Sequence, residues 1–382
     1  MERYLFVLCI LYIIYLFYEK KNLEKNLKQF IYIIHVNGIR GKSTVTRMID
    51  AGLRKGNYRV FSKITGTSPR IINTQNNEVE ISRLGKANIK EQIEIINIAA
   101  KEKADVLVLE CMAVDPILQK LCERQILKSN IGVITNVRMD HLDQMGGTLE
   151  EIAASLSSTI PSNGVLFTGD KKFYDYFEKI GKEKGTKVIL GDDFPISKNK
   201  LDFQENFSIV YSLCHYLGIK QELILESFGE YKRDPGSLKI YSYKNNLGND
   251  ILFINAMAAN DPDSSQIILN KVKEKYNNID KKILLVNNRI DRISRMEQYI
   301  EFVLRNEYYF DKIYISGNVK KVFEKKLKKK SILSVNIEIL ENIDVFDKLD
   351  EKSIIIAVGN ICGHGKTLVE KISQKGEITY AV

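Results

Sequence analysis

The sequence predicts an α/β protein. A P-loop domain built on a parallel sheet precedes a smaller Rossmann-like α/β domain, behind an N-terminal membrane helix. Three observations carry this. Apolar runs alternate with helix-period segments from Ile31 onward, as a mostly parallel sheet requires. The first run enters a glycine-containing turn, Gly38–Thr44, that opens a helix. The Arg-Asp-Pro-Gly stretch at Arg233–Gly236 breaks the periodicity, and a second alternating set follows it. The expected domains are therefore 1–28, an anchor with a basic juxtamembrane segment; 29–236, the nucleotide-binding domain; and 237–382, the smaller domain.

The chain has 382 residues, 44% hydrophobic and 27% charged, enough for two cores and too apolar for disorder. Its net charge of +9 is spread along the chain, with short clusters such as Lys325–Lys330. No zinc-finger spacing or RNA-binding aromatic signature accompanies it, so nucleic acid is not expected. Solvated faces and an acidic substrate account for the charge better. The five cysteines are far apart and form no C-x-x-C pair. That argues against a disulfide framework and zinc, and fits a reducing compartment.

Taken in order, Tyr4–Tyr18 is an unbroken apolar run between Arg3 and Glu19. As a helix it spans about 22 Å, short of a roughly 30 Å hydrocarbon core, a gap that local thinning narrows. Lys20, Lys21, Lys25 and Lys28 follow it, which puts that side in the cytoplasm. The expected location is the cell membrane, single-pass, with the catalytic domains cytoplasmic. Strands are expected at Ile31–Val36, Tyr58–Phe61, Asp105–Leu109, Ile131–Thr135, Val165–Thr168 and Lys187–Leu190. Helices are expected at Lys42–Lys55, Asn88–Lys103, Pro116–Lys128, Leu149–Thr159, Phe173–Glu183, Phe203–Leu217 and Gln221–Tyr231. The second set of strands is Ile251–Asn255, Ile283–Asn287, Lys312–Ser316, Ile332–Ile337 and Ser353–Val358.

The glycine turn has the chemistry of a phosphate cradle. Glycines let backbone N–H groups face an anion, the helix N-terminus adds its dipole, and a lysine reaches the outer phosphates. Gly38, Ile39, Arg40, Gly41, Lys42, Ser43 and Thr44 supply it, with Ser43 as a Mg²⁺ ligand. The spacing is G-x-x-G-K-S, with Val36 where the commoner loop has its first glycine. Two more strands end in reactive residues: Glu110 follows Leu109, and Asn136 leads into Arg138–Asp143, which contains His141. On adjacent parallel strands these gather Lys42, Glu110 and His141 at one edge, a set suited to Mg²⁺–ATP.

Cys111 lacks a marked base and reads as a small apolar filler, and Cys214–His215 as part of a helix. Gly359–Thr367 also contains Gly-Lys-Thr, but too little chain follows it for a second ATPase; it reads as a strand-end turn facing the interdomain cleft. In the second domain, Asn255–Asp263 and Asn287–Arg292 lie at strand ends, where Arg289 and Arg292 suit a carboxylate or phosphate.

The loop, the strand-end Glu110 and the run Thr135–Asp143 with its N-x-x-x-D-H pattern together resemble the Mur-ligase superfamily of ATP-dependent amide ligases, from about Ile31 to the end. The resemblance implies that Lys42 holds phosphates, that Ser43 and Glu110 hold one Mg²⁺, and that His141 binds a second metal. It further implies that Asn206 contacts adenine and that Asn260 and Asp261 belong to a loop closing on the nucleotide. Two departures narrow it. No UDP-sugar domain precedes the loop, and Leu156 stands where relatives carry a carbamylated lysine, with Glu150 or Glu151 as substitutes.

With Lys63–Arg70, Asn287–Arg292 and Gly359–Gly365, these features are similar to the ligase subunits of bacterial poly-γ-glutamate synthases. That implies phosphorylation of a chain-terminal carboxylate by ATP and attack by the amine of the next glutamate, with Arg70, Arg289 and Arg292 holding carboxylates. Expected partners are glutamate, the anionic polyglutamate chain and small membrane subunits of a synthase and export complex; a homo-oligomer is left open. The rival readings are a folylpolyglutamate-type ligase, and a membrane-tethered nucleotide-binding module that forms no bond.

Overall fold

The computed structural model describes residues 2–66, 69–83, 85, 87–140, 142–191, 203–233, 238–257, 261–289, 293–331, 335–361 and 363–380. The chain divides into two compact units, with the sequence boundary at Asp234–Pro235.

In the first unit the strands are β1 (Tyr32–Asn37), β2 (Val60–Ile64), β3 (Arg70–Ile72), β4 (Glu78–Glu80), β5 (Val106–Glu110), β6 (Ile131–Ile134), β7 (Val165–Thr168) and β8 (Lys187–Leu190). Their order in the sheet is β4-β3-β2-β5-β1-β6-β7-β8. The six strands from β2 to β8 in that order run parallel, and β3 and β4 add an antiparallel ribbon at one edge. Apolar positions of β1, β5 and β6 are buried, as central strands of a covered parallel sheet must be. β1 lies between β5 and β6, with Val36 opposite Glu110 and Asn37 opposite Ile134. Chain order switches direction there, which is where an open α/β sheet leaves room for a ligand.

The ribbon β3–β4 has no counterpart among the expected strands, since three-residue strands with charged ends show too little alternation. The helix expected at Pro116–Lys128 is α-helical only through Leu121 and widens into a π-helical turn, Cys122–Leu127.

The N-terminal helix, Glu2–Leu27, corrects a further expectation. Among the described residues no helix is long and apolar enough to cross a membrane. Its apolar run is flanked by Glu2 and Arg3 on one side and by Glu19, Lys20 and Lys21 on the other. Its last turns pack on the protein instead: Leu23 and Leu27 are buried with Phe30, Ile95 and Ile96, and Asn26 Nδ2 donates to Asn97 Oδ1 at 2.7 Å. The side chains from Tyr4 to Tyr18 stay exposed.

The second unit has β9 (Lys239–Lys244), β10 (Asp250–Asn255), β11 (Lys281–Asn288), β12 (Lys312–Gly317), β13 (Asn336–Ile339), β14 (Ser353–Gly359) and β15 (Glu377–Tyr380), ordered β13-β12-β11-β14-β10-β9-β15. Five strands are parallel; β9 pairs antiparallel with β10 and β15 closes the edge on β9, and their half-polar sequences do not stand out as apolar runs. The strand expected at Ile332–Ile337 is Asn336–Ile339, and residues 332–334 lie outside the described residues. Phe253, Ile283, Leu285, Phe346 and Ile355 form the center of its core.

Candidate active site

The cradle is assembled by the tail of β6. Gly38 (φ 125°) and Gly41 (φ 82°) occupy the left-handed region that glycine tolerates. Both are also crowded. A Cβ on Gly38 would lie 2.1 Å from Thr135 Oγ1, and one on Gly41 would lie 2.5 Å from Asn206 Oδ1. Thr135 Oγ1 donates to the Arg40 carbonyl at 2.5 Å, Asn136 Oδ1 accepts from the Arg40 N–H at 3.0 Å, and the Asn136 carbonyl accepts from the Ile39 N–H at 3.2 Å. The Gly38 N–H donates to Asn37 Oδ1 at 2.8 Å, so three backbone donors of the expected cradle are used internally. Ile39 itself is buried beside Ile134 and Val137, so its side chain shapes the loop. Arg40 pairs with Asp140 at 2.7 Å.

The donors left for phosphate are those of the first helical turn. Helix Lys42–Lys55 starts at Gly41 with no side-chain cap, so the N–H groups around Lys42, Ser43 and Thr44 face outward from its positive end. Lys42 Nζ donates to the Gly38 carbonyl at 2.7 Å, folded back over the loop. Burial lowers its pKa, and Glu110 opposes that shift.

Glu110, at the end of β5, is 2% exposed. Ser43 Oγ donates to its two oxygens at 3.1 and 3.0 Å, and the Thr65 N–H donates at 2.7 Å. Burial raises its pKa and Lys42 pulls it back. A buried carboxylate with a hydroxyl on it, beside a phosphate loop, is a hard-oxygen donor set that fits Mg²⁺ completed by phosphate oxygens. His141, the third expected member, lies outside the described residues. Among the described residues no group of three His, Cys, Asp or Glu side chains could hold a metal alone. Leu156, at the carbamate position, is fully buried in the core. Glu151 is used in a capping box with Thr148.

Next to the cradle lies a cavity of about 400 Å³, lined by Asn136, Arg138, Asp170, Lys171, Gln204 and Glu205 among others. Arg138 bonds Glu205 at 2.5 Å and lies 4.9 Å from the Phe203 ring center. Asp170 Oδ2 accepts from the Val137 N–H at 2.7 Å. Asn206, one residue from that lining, is buried against Gly41, and its Oδ1, an acceptor suited to an amino group, has no partner among the described residues. Asp140 and Arg138 stood inside the recognised Asp-His run without a role assigned. Thr65 lies in the Lys63–Arg70 stretch that carries the resemblance, without a role there, while Asp170 and Glu205 have no local motif and only folding brings them here.

Arg70 is engaged by its own ribbon, 3.6 Å from Glu78 and 3.7 Å from Glu80, so its charge is already answered there.

In the second unit, Asp261 caps the helix Pro262–Lys275 by accepting from the Ser264 N–H at 2.8 Å, a structural use of the carboxylate expected at the nucleotide. Asn260 and Arg292 lie outside the described residues. Arg289 is half-buried just past β11, in a small recess with Asn288, Arg295 and Tyr299. The strand ends around it are rich in amides. Asn255 Nδ2 and Asn288 Nδ2 are buried and have no partner among the described residues. Ser316 Oγ lies 2.7 Å from His364 Nδ1 and donates to Asn287 Oδ1 at 3.0 Å. Unsatisfied buried donors beside arginines suit a carboxylate acceptor. The Gly-Lys-Thr at Gly365–Thr367 sits inside the helix His364–Ser373, and the Lys366 side chain is 77% exposed, away from any cradle.

Two family models match: the Mur ligase middle domain over residues 36–221, and the poly-gamma-glutamate synthase CapB C-terminal domain over residues 240–375. The chain is 34% identical to the capsule biosynthesis protein CapB of Bacillus anthracis, covering 95% of this chain and 81% of that one. It is 33% identical to the PGA synthase CapB of Bacillus subtilis (strain 168), covering 97% of each. Among solved structures it is similar to a bifunctional folylpolyglutamate synthase/dihydrofolate synthase with Mn, AMPPNP and L-glutamate bound, at TM-score 0.69 and 15% identity over 92% of this chain and 93% of that one. The folylpolyglutamate synthase of Thermotoga maritima gives TM-score 0.61 and 16% identity over 96% and 98%. At such identity these structures speak for the fold.

Proposed function

Since the chain belongs to the poly-γ-glutamate synthase CapB family and is an ATP-dependent amide ligase, we propose that it adds glutamate to a growing poly-γ-glutamate chain through an acyl phosphate. The observation that carries this reading is the meeting of Ser43 with both Glu110 oxygens at the head of the Lys42 helix.

The terminal carboxylate of the chain attacks the γ-phosphorus of ATP, forming an acyl phosphate and releasing ADP. The neutral amine of the incoming glutamate then attacks the acyl carbon; the amide forms, phosphate leaves, and the amine proton passes to solvent. Lys42 and the first-turn N–H groups hold the phosphates and offset charge as it shifts onto the leaving ADP. Mg²⁺, held by Ser43 and Glu110 with phosphate oxygens, would neutralise phosphate charge. The adjoining cavity, with Asn206 beside it, takes the base. Arg289 and the amides of Asn255 and Asn288 are the candidate holders of substrate carboxylate in the second unit.

The exposed apolar run of helix Glu2–Leu27, followed by lysines, supports tethering at the cytoplasmic face of the cell membrane, near small membrane subunits that export the polymer.

The test is phosphate release and polymer formation by purified protein with ATP, Mg²⁺ and glutamate. Lys42→Ala is expected to lower turnover by at least about 10²-fold, the scale for losing one preorganised charge-stabilising group. Product formed undiminished by that variant would refute the scheme. The fold likeness to folylpolyglutamate synthases keeps one second reading, for which ATP turnover would respond to folate and not to glutamate alone.

A further inference from the structure

Helix Lys320–Lys330 in the second unit carries seven lysines against one glutamate, with no acidic residue in its first turn. Its inner face is committed, since Phe323 and Leu327 are fully buried. Three lysines are answered locally: Lys320 by Glu341 at 2.6 Å, Lys326 by Glu297, and Lys328 by Glu324 at 2.8 Å. Lys321, Lys325 and Lys329 are exposed and make no ion pair among the described residues. They recur every fourth residue, so they form one outward stripe with about 6 Å between successive positions. Like charges at that spacing weaken a helix, and lysines in its first turn oppose its dipole. The packing of the unit does not require this stripe.

We infer that the stripe is a docking track for an anionic polymer, the poly-γ-glutamate of the reaction proposed above, on which this inference rests. Each γ-linked residue leaves one free carboxylate, so the polymer offers a row of anions to a row of ammonium groups. A free glutamate gains one screened surface contact, which is worth little; a chain gains several together once the first has formed. A lipid surface fits less well, because Val322 is the one exposed apolar side chain of this helix, while Phe323 and Leu327 are buried inside the unit. Holding the product nearby keeps its end at high local concentration, so successive additions precede release.

The test is direct binding of labelled poly-γ-glutamate to the full chain without ATP, beside free glutamate at equal carboxylate concentration and vesicles of anionic lipid. The triple variant K321Q/K325Q/K329Q is expected to bind polymer roughly tenfold more weakly, with a shallower salt dependence. The triple arginine variant K321R/K325R/K329R is expected to retain binding. Phosphate release with a short acceptor is expected to match the parent, while product length falls. Equal polymer binding by parent and glutamine variant overturns the inference, as does loss of vesicle binding with polymer binding intact. Because binding is read without turnover, a chain that binds polymer through the stripe yet forms no amide would overturn the ligase scheme and not the existence of the track.

Discussion

At Gly38 two constraints coincide. Its φ of 125° excludes ordinary side chains, and the space a Cβ would need belongs to Thr135, whose hydroxyl holds the Arg40 carbonyl. The neighbor has no room to yield without releasing the loop. Gly38→Ala is therefore expected to cost about 1–3 kcal/mol of stability by thermal unfolding and to weaken ATP binding. An unchanged melting temperature would show that the loop relaxes freely. Glycine and lysine in this turn were legible, since their chemistry needs only local spacing. The use of Ile39 as a core residue was not legible, because its backbone partner Asn136 lies a whole crossover away.

At the scale of elements, the first unit's sheet is clamped to a helix by charge. Lys63 in β2 is fully buried, with Nζ 2.6 Å from Glu91 at the start of helix Glu91–Lys101, and Arg83 meets the same carboxylate at 2.7 Å. Burial alone would raise the Glu91 pKa, but Arg83 and Lys63 hold it at about 2. The folded value lies below the unfolded 4.5, so the stabilisation is complete above pH 4.5 and is lost as pH falls through 2. Glu91→Gln is expected to lower stability at pH 7 by about 1–3 kcal/mol in urea unfolding. The difference from the parent should shrink between pH 4.5 and 2; a gap constant with pH would point to packing instead. The parallel strands are readable as apolar runs, whereas β3, β4, β9 and β15, at or next to a sheet edge, are too short or too polar to stand out.

Over the whole molecule, the proposed function gives the N-terminal helix a tethering role and no part in catalysis. Deleting residues 1–18 is expected to leave ATP turnover by the purified protein within about twofold, while moving the protein from the membrane fraction to the soluble one. Leu23 and Leu27, which pack on the first unit, are kept in that design. Membrane association that survives the deletion would place the tether elsewhere.

Sequence alone determined the alternation of strands and helices, the phosphate loop, and the placing of Glu110 and the Asp-His run at strand ends, because periodicity and turn chemistry act over a few residues. Tertiary structure decided which of those groups meet. Sheet order set β1 between β5 and β6, bringing Ser43 onto Glu110 and Asn136 onto the loop. It also committed Arg70 to the carboxylates of Glu78 and Glu80 across its ribbon, whereas the caps made by Asp261 and Glu151 act within three residues of chain.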